Sequence, residues 1–428
     1  MADMNPEDVQ AFYERMPYPA PLTSLDKHIE VFKSPEHRRI RSLQMFPEGK
    51  PRGRQKILVA GCGTSQAARV ALREPDAHIT AIDISATSLG HLRTLQNKHS
   101  LENLELRQLS VLDVSALDQT FDQIICTGVL HHLPDPDQGL RSLREVLSRD
   151  GAMQIMVYAS YGRAGIYMMQ EYCRLLGIKP TRRELESLSV ALKYLSNDHP
   201  LAPLLHKVKD FSQPDALADA LLHPQDRAYT VPQLYEWLDR CGIAFGRWLE
   251  QAPYLPQCGG VAKTPHAAQI TALSEPEKHA AVELFRGDMT QHSFIAYRSD
   301  REKAAQPVRF TGEQWRSYVP VHIPWTRTVR ERLPAGAAAV LVNPAHKQPD
   351  LFLPISNSEE SLHAKIDGKR TLGEIERSIT KRKTAELTPA FFKKLWEHDL
   401  IVIDASGVTR VESVGGENSS ISFNGELV

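Results

Sequence analysis

Between Lys56 and Tyr158 short apolar runs alternate with stretches of helical period. The runs occupy 57–60, 79–83, 104–106, 121–126 and 153–158. Strands separated by helices in this way predict a parallel sheet with helices on both faces, because a parallel crossover needs an element long enough to return the chain to the starting edge. The helices carry their own start signals. Ser85 precedes a run through Leu89, Leu92 and Leu95, and Asp135 to Asp137 precede Leu140, Leu143, Val146 and Leu147. A short polar side chain at such a place accepts a hydrogen bond from the free amides of a first helical turn. Asp150-Gly151 then reads as the turn into the fifth strand.

Past Tyr158 the pattern changes. Residues 159–228 keep a helical period broken at Pro180, Pro200, Pro203 and Pro214, with no strand alternation, which predicts a helical lid inserted between sheet elements. The sheet resumes with a helix at 231–241 and a run at 244–249, and closes at 292–298. In 300–355 the aromatic residues Trp315, Tyr318 and Trp325 stand among prolines in no readable order. A compact helical pattern starts at Glu360. Thr371 with Glu374 forms a capping box, and Thr388-Pro389 reads as an N-cap with proline in the first turn. A strand follows at 400–403. The expected organisation is an arm at 1–55, an α/β Rossmann-like domain at 56–299, an unassigned stretch at 300–355, a small α+β module at 356–410 and a loose tail at 411–428.

Composition narrows the class. The 428 residues are 42% hydrophobic and 24% charged, enough for two or three cores without disulfides or metals. With 51 Lys and Arg against 52 Asp and Glu there is no global field to hold a polyanion, so a nucleic-acid partner is disfavoured. No stretch approaches the roughly 20 apolar residues of a bilayer span, and the start lacks the basic and apolar regions of a signal peptide. A cytoplasmic protein is expected. The five cysteines are odd in number and form no C-x-x-C pair, which predicts reduced thiols and no metal site.

The sharpest chemical signal is Ile57-Leu58-Val59-Ala60-Gly61-Cys62-Gly63-Thr64, a buried strand entering a glycine-rich turn and a helix. Glycines there let a ligand approach the backbone, and the amides at the helix start face an anionic group. Asp83 ends the next strand, where a carboxylate can bind both hydroxyls of a ribose. Two ligands share this layout, a dinucleotide and the methyl donor S-adenosylmethionine. The dinucleotide fingerprint needs glycine or alanine at position 66, and Gln66 stands there.

The segment Phe121-Asp122-Gln123-Ile124-Ile125-Cys126-Thr127-Gly128-Val129-Leu130-His131-His132-Leu133-Pro134, with the helix at 143–147 and Asp150-Gly151, resembles the fourth-strand region of class I S-adenosylmethionine-dependent methyltransferases. The resemblance extends from the strand at 57 to Tyr158, with closing elements to about 299. It implies a seven-stranded, mostly parallel sheet carrying the donor across its strand ends. The implied donor contacts are Gly61, Cys62, Gly63, Asp83, Ile84, Ser110, Val111, Thr127 and Gly128, with Asp113 a rival to Ser110 for the adenine. Where many members carry an acid before the first glycine, Val59 and Ala60 stand here, and Ser65 replaces the third glycine. Backbone carbonyls would then take the donor's amino group.

Methyl transfer from a sulfonium is an in-line displacement, so the protein mainly aligns the reactants, excludes water and, for a hydroxyl acceptor, supplies a base. His131, expected at the mouth of the cleft, is the candidate base. Tyr158, Tyr161, Arg163, Tyr167, Gln170 and Glu171 stand where acceptors bind in the family, and helical spacing would put the last three on one face. Tyr13 in the arm can stack over the adenosine. The C-terminal pattern, Ile366-Asp367-Gly368-Lys369-Arg370-Thr371-Leu372 through Phe391, Phe392, Leu395 and 400–402, looks like a PqqD-like winged-helix domain, a fold whose relatives bind peptides. The expected protein is a methyltransferase that converts S-adenosylmethionine to S-adenosylhomocysteine while methylating a small-molecule or peptide acceptor. Two rival readings are a non-catalytic donor-binding or peptide-recruiting protein and an NAD-dependent reductase.

Overall fold

The structure, a computed structural model, describes residues 6–207, 213–302 and 305–407. These form two compact units, one drawn from segments 1–33, 51–245 and 286–302, the other from 34–50, 246–285 and 303–428.

The first unit is built on a sheet of eight strands: β1 (Lys56–Ala60), β2 (His78–Asp83), β3 (Leu104–Gln108), β4 (Phe121–Thr127), β5 (Leu147–Ala159), β6 (Ala228–Tyr229), β7 (Ile243–Trp248) and β8 (Gln291–Arg298). Their order is β3-β2-β1-β4-β5-β8-β7, with the two-residue β6 beside β5. Neighbours from β3 through to β5 run parallel, and β8 joins β5 antiparallel. In β1, Ile57, Leu58, Val59 and Ala60 are wholly buried, as helices on both faces require. Strand order reverses between β1 and β4, and the crevice at a reversal is where open α/β sheets bind ligands.

Ser85 caps the helix Ala86–Lys98 by accepting from Ser88 N–H, and Asp135 caps Pro136–Val146 through Gln138 N–H. Asp150-Gly151 is not a turn into the fifth strand: β5 runs through it for 13 residues, with a register shift opposite Phe121 and Gln123. The sheet absorbs the extra length as an irregularity, which glycine and aspartate tolerate. The insertion is helical, with helices at Ala164–Leu176, Arg182–Leu192, Ala202–Lys207 and Pro214–Leu222. Its apolar core includes Ile166, Leu185, Leu188 and Leu217, and it takes in Phe12 from the arm helix Pro6–Arg15.

The second unit shows what periodicity could not. The stretch 300–355 supplies the strands Val319–His322, Arg327–Val329, Ala339–Val342 and Phe352–Ile355. The last three form an antiparallel sheet, and Val319–His322 pairs with Ile401–Asp404. Trp315, Tyr318, Phe391, Phe392 and Leu395 share one core. Segment 34–50, read as part of an arm, contributes the helix Pro35–Met45, whose Ile40 and Leu43 pack with Val321 and Val402. Segment 246–285 also joins this unit, so neither the arm 1–55 nor the domain 56–299 is one body. The capping box of Thr371 and Glu374 is present. Thr388 is not an N-cap but lies inside Thr388–Glu397, its hydroxyl donating to Ala385 O at 2.7 Å. The tail expected at 411–428 lies outside the described residues.

Candidate functional site

At the carboxyl end of β1 the chain turns sharply into the helix Gln66–Arg73. Gly61 and Gly63 hold φ of +66° and +54°, which glycine adopts without strain. A Cβ on Gly61 would stand 2.2 Å from Val129 Cγ2. Gly61 and buried Cys62 both donate their amides to Ile82 O, at 2.9 and 3.0 Å. Asp83 accepts from Gly63 N–H at 2.8 Å with one carboxylate oxygen and from Ser85 N–H at 2.9 Å with the other. Burial raises its pKa, and these two hydrogen bonds oppose that shift. One carboxylate thereby ties the first strand's turn to the start of the next helix.

The neighbouring strand ends complete this half. Ile84 O accepts from Gln108 Nε2 at 3.0 Å. Ser110 caps the short turn Val111–Leu117 by accepting from Leu112 N–H at 3.2 Å, and Val111 is buried while Asp113 is exposed. Thr127 accepts from Gln66 Nε2 at 2.6 Å, and Gly128 follows at φ +78°. Gln66, the residue that breaks the dinucleotide fingerprint, thus links the β1 turn to the end of β4. The arm crosses here too: Thr64 Oγ1 donates to Pro19 O at 2.8 Å, and the Glu14 carboxylate accepts from the Ala86 and Thr87 amides at 2.6 and 3.0 Å.

A second cluster lies beyond β4 and β5. Asp219, from the inserted helix Pro214–Leu222, accepts from Tyr13 OH at 3.1 Å and Tyr158 OH at 3.2 Å. Burial pushes both phenols well above their usual range, with the Asp219 charge adding to the effect. The Arg163 guanidinium lies 3.4 Å over the Tyr158 ring and pairs with Asp226 at 3.1 Å. Tyr167 OH accepts from Arg163 Nε at 3.3 Å, and Gln170 donates to Asp226 Oδ2 at 2.9 Å. His132 Nδ1 meets Gln225 O at 2.7 Å, and the Gln225 amide donates to His223 Nδ1 at 3.0 Å.

The structure gathers Tyr13, His131, Tyr158, Arg163, Tyr167 and Gln170 around this cluster. His131 is not at a mouth: it is fully enclosed, its ring centre 3.9 Å from that of Tyr158, and burial holds its pKa well below the usual value. Tyr161 is 42% exposed, and Glu171 is at the surface beside Arg174. Consecutive helical residues point about 100° apart, so when Arg163, Tyr167 and Gln170 face inward, Glu171 does not. Sequence reasoning missed Asp219, His223, Gln225 and Asp226, and assigned no role to His132. An acid inside the apolar repeat Ala216-Leu217-Ala218-Asp219-Ala220-Leu221 was the available signal. Among the described residues no helix is long and apolar enough to cross a membrane.

The strand order, with β8 antiparallel beside β5, is that of the Rossmann-like methyltransferase fold. Residues 58–153 match the family model of the methyltransferase domain. An uncharacterized protein of Synechococcus sp. is 31% identical over 58% of this chain and 61% of its own length. Malonyl-[acyl-carrier protein] O-methyltransferase of Bacillus anthracis is 32% identical over 25% of this chain and 38% of its own. The chain therefore spans less than two thirds of either relative. The solved structure of PKMT2 from Rickettsia typhi in complex with AdoHcy shares the fold, with a TM-score of 0.61 at 15% identity, over 90% of this chain and 77% of that one.

Proposed function

We propose that this chain transfers the methyl group of S-adenosylmethionine to an acceptor bound among Tyr158, Asp219 and the histidines. The observation that carries the reading is the crevice at the β1–β4 reversal, where Asp83 is held by two amides at the rim of a turn that only glycine can make. These residues fit the donor. Asp83 suits a ribose, the Gly61–Gly63 turn a methionine carboxylate, and Ser110 and Val111 an adenine edge. A bound sulfonium supplies an activated methyl group. The protein's own contribution is alignment and exclusion of water, to which Tyr13 from the arm and Asp219 from the insertion contribute by closing over β5 through their hydrogen bonds. The malonyl-carrier and AdoHcy-bound proteins among its likenesses support the same chemistry. We assign the C-terminal module, on its PqqD-like resemblance, to recruiting or orienting the acceptor.

Calorimetric titration with S-adenosylmethionine, S-adenosylhomocysteine and, as control, NAD tests the reading. Micromolar binding of the first two and none of the third is expected, and no binding of either adenosyl compound refutes it. Asp83→Ala should weaken donor binding at least tenfold, in line with the roughly 1.5–3 kcal/mol of a hydrogen bond to a charged group. Unchanged affinity would remove Asp83 from the ribose site.

A further inference from the structure

His132, His223 and Asp219 are all buried, and one nitrogen of each imidazole and one oxygen of Asp219 come within 4.8 Å of one another. A single point can then lie about 2.8 Å from all three, the length of an ordinary hydrogen bond. Gln225 decides which nitrogen of each ring is left free. Its carbonyl takes the proton of His132 Nδ1, so His132 Nε2 carries a lone pair. Its amide donates to His223 Nδ1, so the ring proton of neutral His223 sits on Nε2. His223 Nε2 is buried and has no hydrogen-bond partner. Asp219 contributes oxygens that already accept from Tyr13 and Tyr158 and have lone pairs left. The ring nitrogens left free thus present one donor and one acceptor, beside an Asp219 carboxylate already held by two phenols.

We infer that this cluster holds the acceptor's nucleophilic atom, that the atom is a hydroxyl oxygen, and that His132 is its general base. The inference rests on the methyl-transfer reading above and names the class of acceptor for that site. A hydroxyl gives one proton to His132, accepts the His223 proton with one lone pair, and keeps the other lone pair for attack. A neutral amine has one lone pair, and spending it on His223 Nε2–H would leave nothing to attack with. A carboxylate has no proton for His132 and would place a second negative charge beside Asp219. In the transfer, the acceptor oxygen forms its bond to the methyl carbon as the sulfur–carbon bond breaks. That electron pair stays on sulfur, and the hydroxyl proton passes to His132 Nε2. Asp219 then stands beside the imidazolium so formed, and Gln225 O holds its other N–H.

His131 does not serve as well. Both its ring nitrogens lack partners, so nothing selects its tautomer or aims a lone pair. A metal ion also fits poorly. The proton on His223 Nε2 occupies the position where a metal ligand would need a lone pair.

The test is nitrogen NMR of the full chain with 15N-labelled histidine, saturated with S-adenosylhomocysteine and titrated with phenol and, separately, benzylamine. His132 should show the Nδ1–H tautomer and His223 the Nε2–H tautomer. Phenol should move the Nε2 signals of both rings, whereas benzylamine, an ammonium near neutral pH with no lone pair to accept the His223 proton, should leave His223 Nε2 unmoved. His132→Asn, whose side-chain amide replaces the Nδ1 donor and removes Nε2, should abolish the phenol response of His223 while S-adenosylhomocysteine affinity stays within twofold. Identical tautomers on the two rings, a larger response to benzylamine, or no response to either probe overturns the inference. Zinc that survives dialysis and moves both signals overturns it in favour of a metal centre. Failure of the methyl-transfer reading shows separately, as absent calorimetric binding of S-adenosylhomocysteine, because the ring tautomers can be read without it.

Discussion

Gly61 makes a residue-level prediction that separates two costs. An alanine there would meet a left-handed backbone at φ +66° and a Val129 methyl 2.2 Å from its Cβ. The first costs about 1 kcal/mol, and overpacking adds roughly 1–3 kcal/mol. Gly61→Ala should therefore lower stability by about 2–4 kcal/mol in denaturant unfolding. Val129→Ala in the same chain should recover the steric part and leave the backbone part. No recovery would mean that the turn, and not the contact, sets the requirement. The same close approach explains why a bulkier residue is tolerated at position 66 but not at 61: Gln66 points its amide at Thr127 instead of into the turn.

At the scale of elements, the arm works as a cap. The helix Ala86–Lys98 begins with free amides, of which Ser88 N–H goes to Ser85 Oγ and those of Ala86 and Thr87 go to Glu14. Ser85 was legible as a cap because its partner lies three residues away. Glu14 was not, because it lies 72 residues from Ala86 and no local pattern records a pairing at that distance. Glu14→Ala should cost about 1 kcal/mol, the usual worth of a helix cap. Hydrogen exchange should quicken at Ala86 and Thr87 while Ser88 keeps its protection. Equal loss at all three would show that the arm holds the whole turn and does not cap it selectively.

For the molecule as a whole, buried histidines set the response to acid. Burial holds His279 and His363 down at about 4, and His131 and His223 well below their usual value. A histidine whose folded pKa is depressed binds its proton more readily when unfolded. Stability is therefore complete above about 6.5 and is lost as pH falls from there toward about 4. For His279, 3% exposed and stacked edge-on to Trp248, the loss is at most about 3 kcal/mol. The midpoint of thermal unfolding should fall steadily from pH 7 to pH 5, and His279→Phe should flatten the profile. An unchanged slope would assign the acid sensitivity to other groups.

What the chain determined by itself was local. The β1–β5 strands, the Ser85 and Asp135 caps, the glycine turn and Asp83 were legible because each rests on residues a few positions apart, where period and capping chemistry are written directly. The first cluster, around the Gly61–Gly63 turn and Asp83, follows from them, since it lies at the ends of consecutive strands. Only the tertiary structure decided the second cluster, around Asp219. Asp219, His223 and Gln225 come from an insertion whose helices could be read but whose docking could not, and Tyr13 reaches Asp219 across 206 positions. The same holds for the second unit, whose core draws on three separated segments. Burial and charge pairing among distant residues depend on which apolar faces close on one another, and hydrophobic period shows that a face exists without saying which other face will cover it.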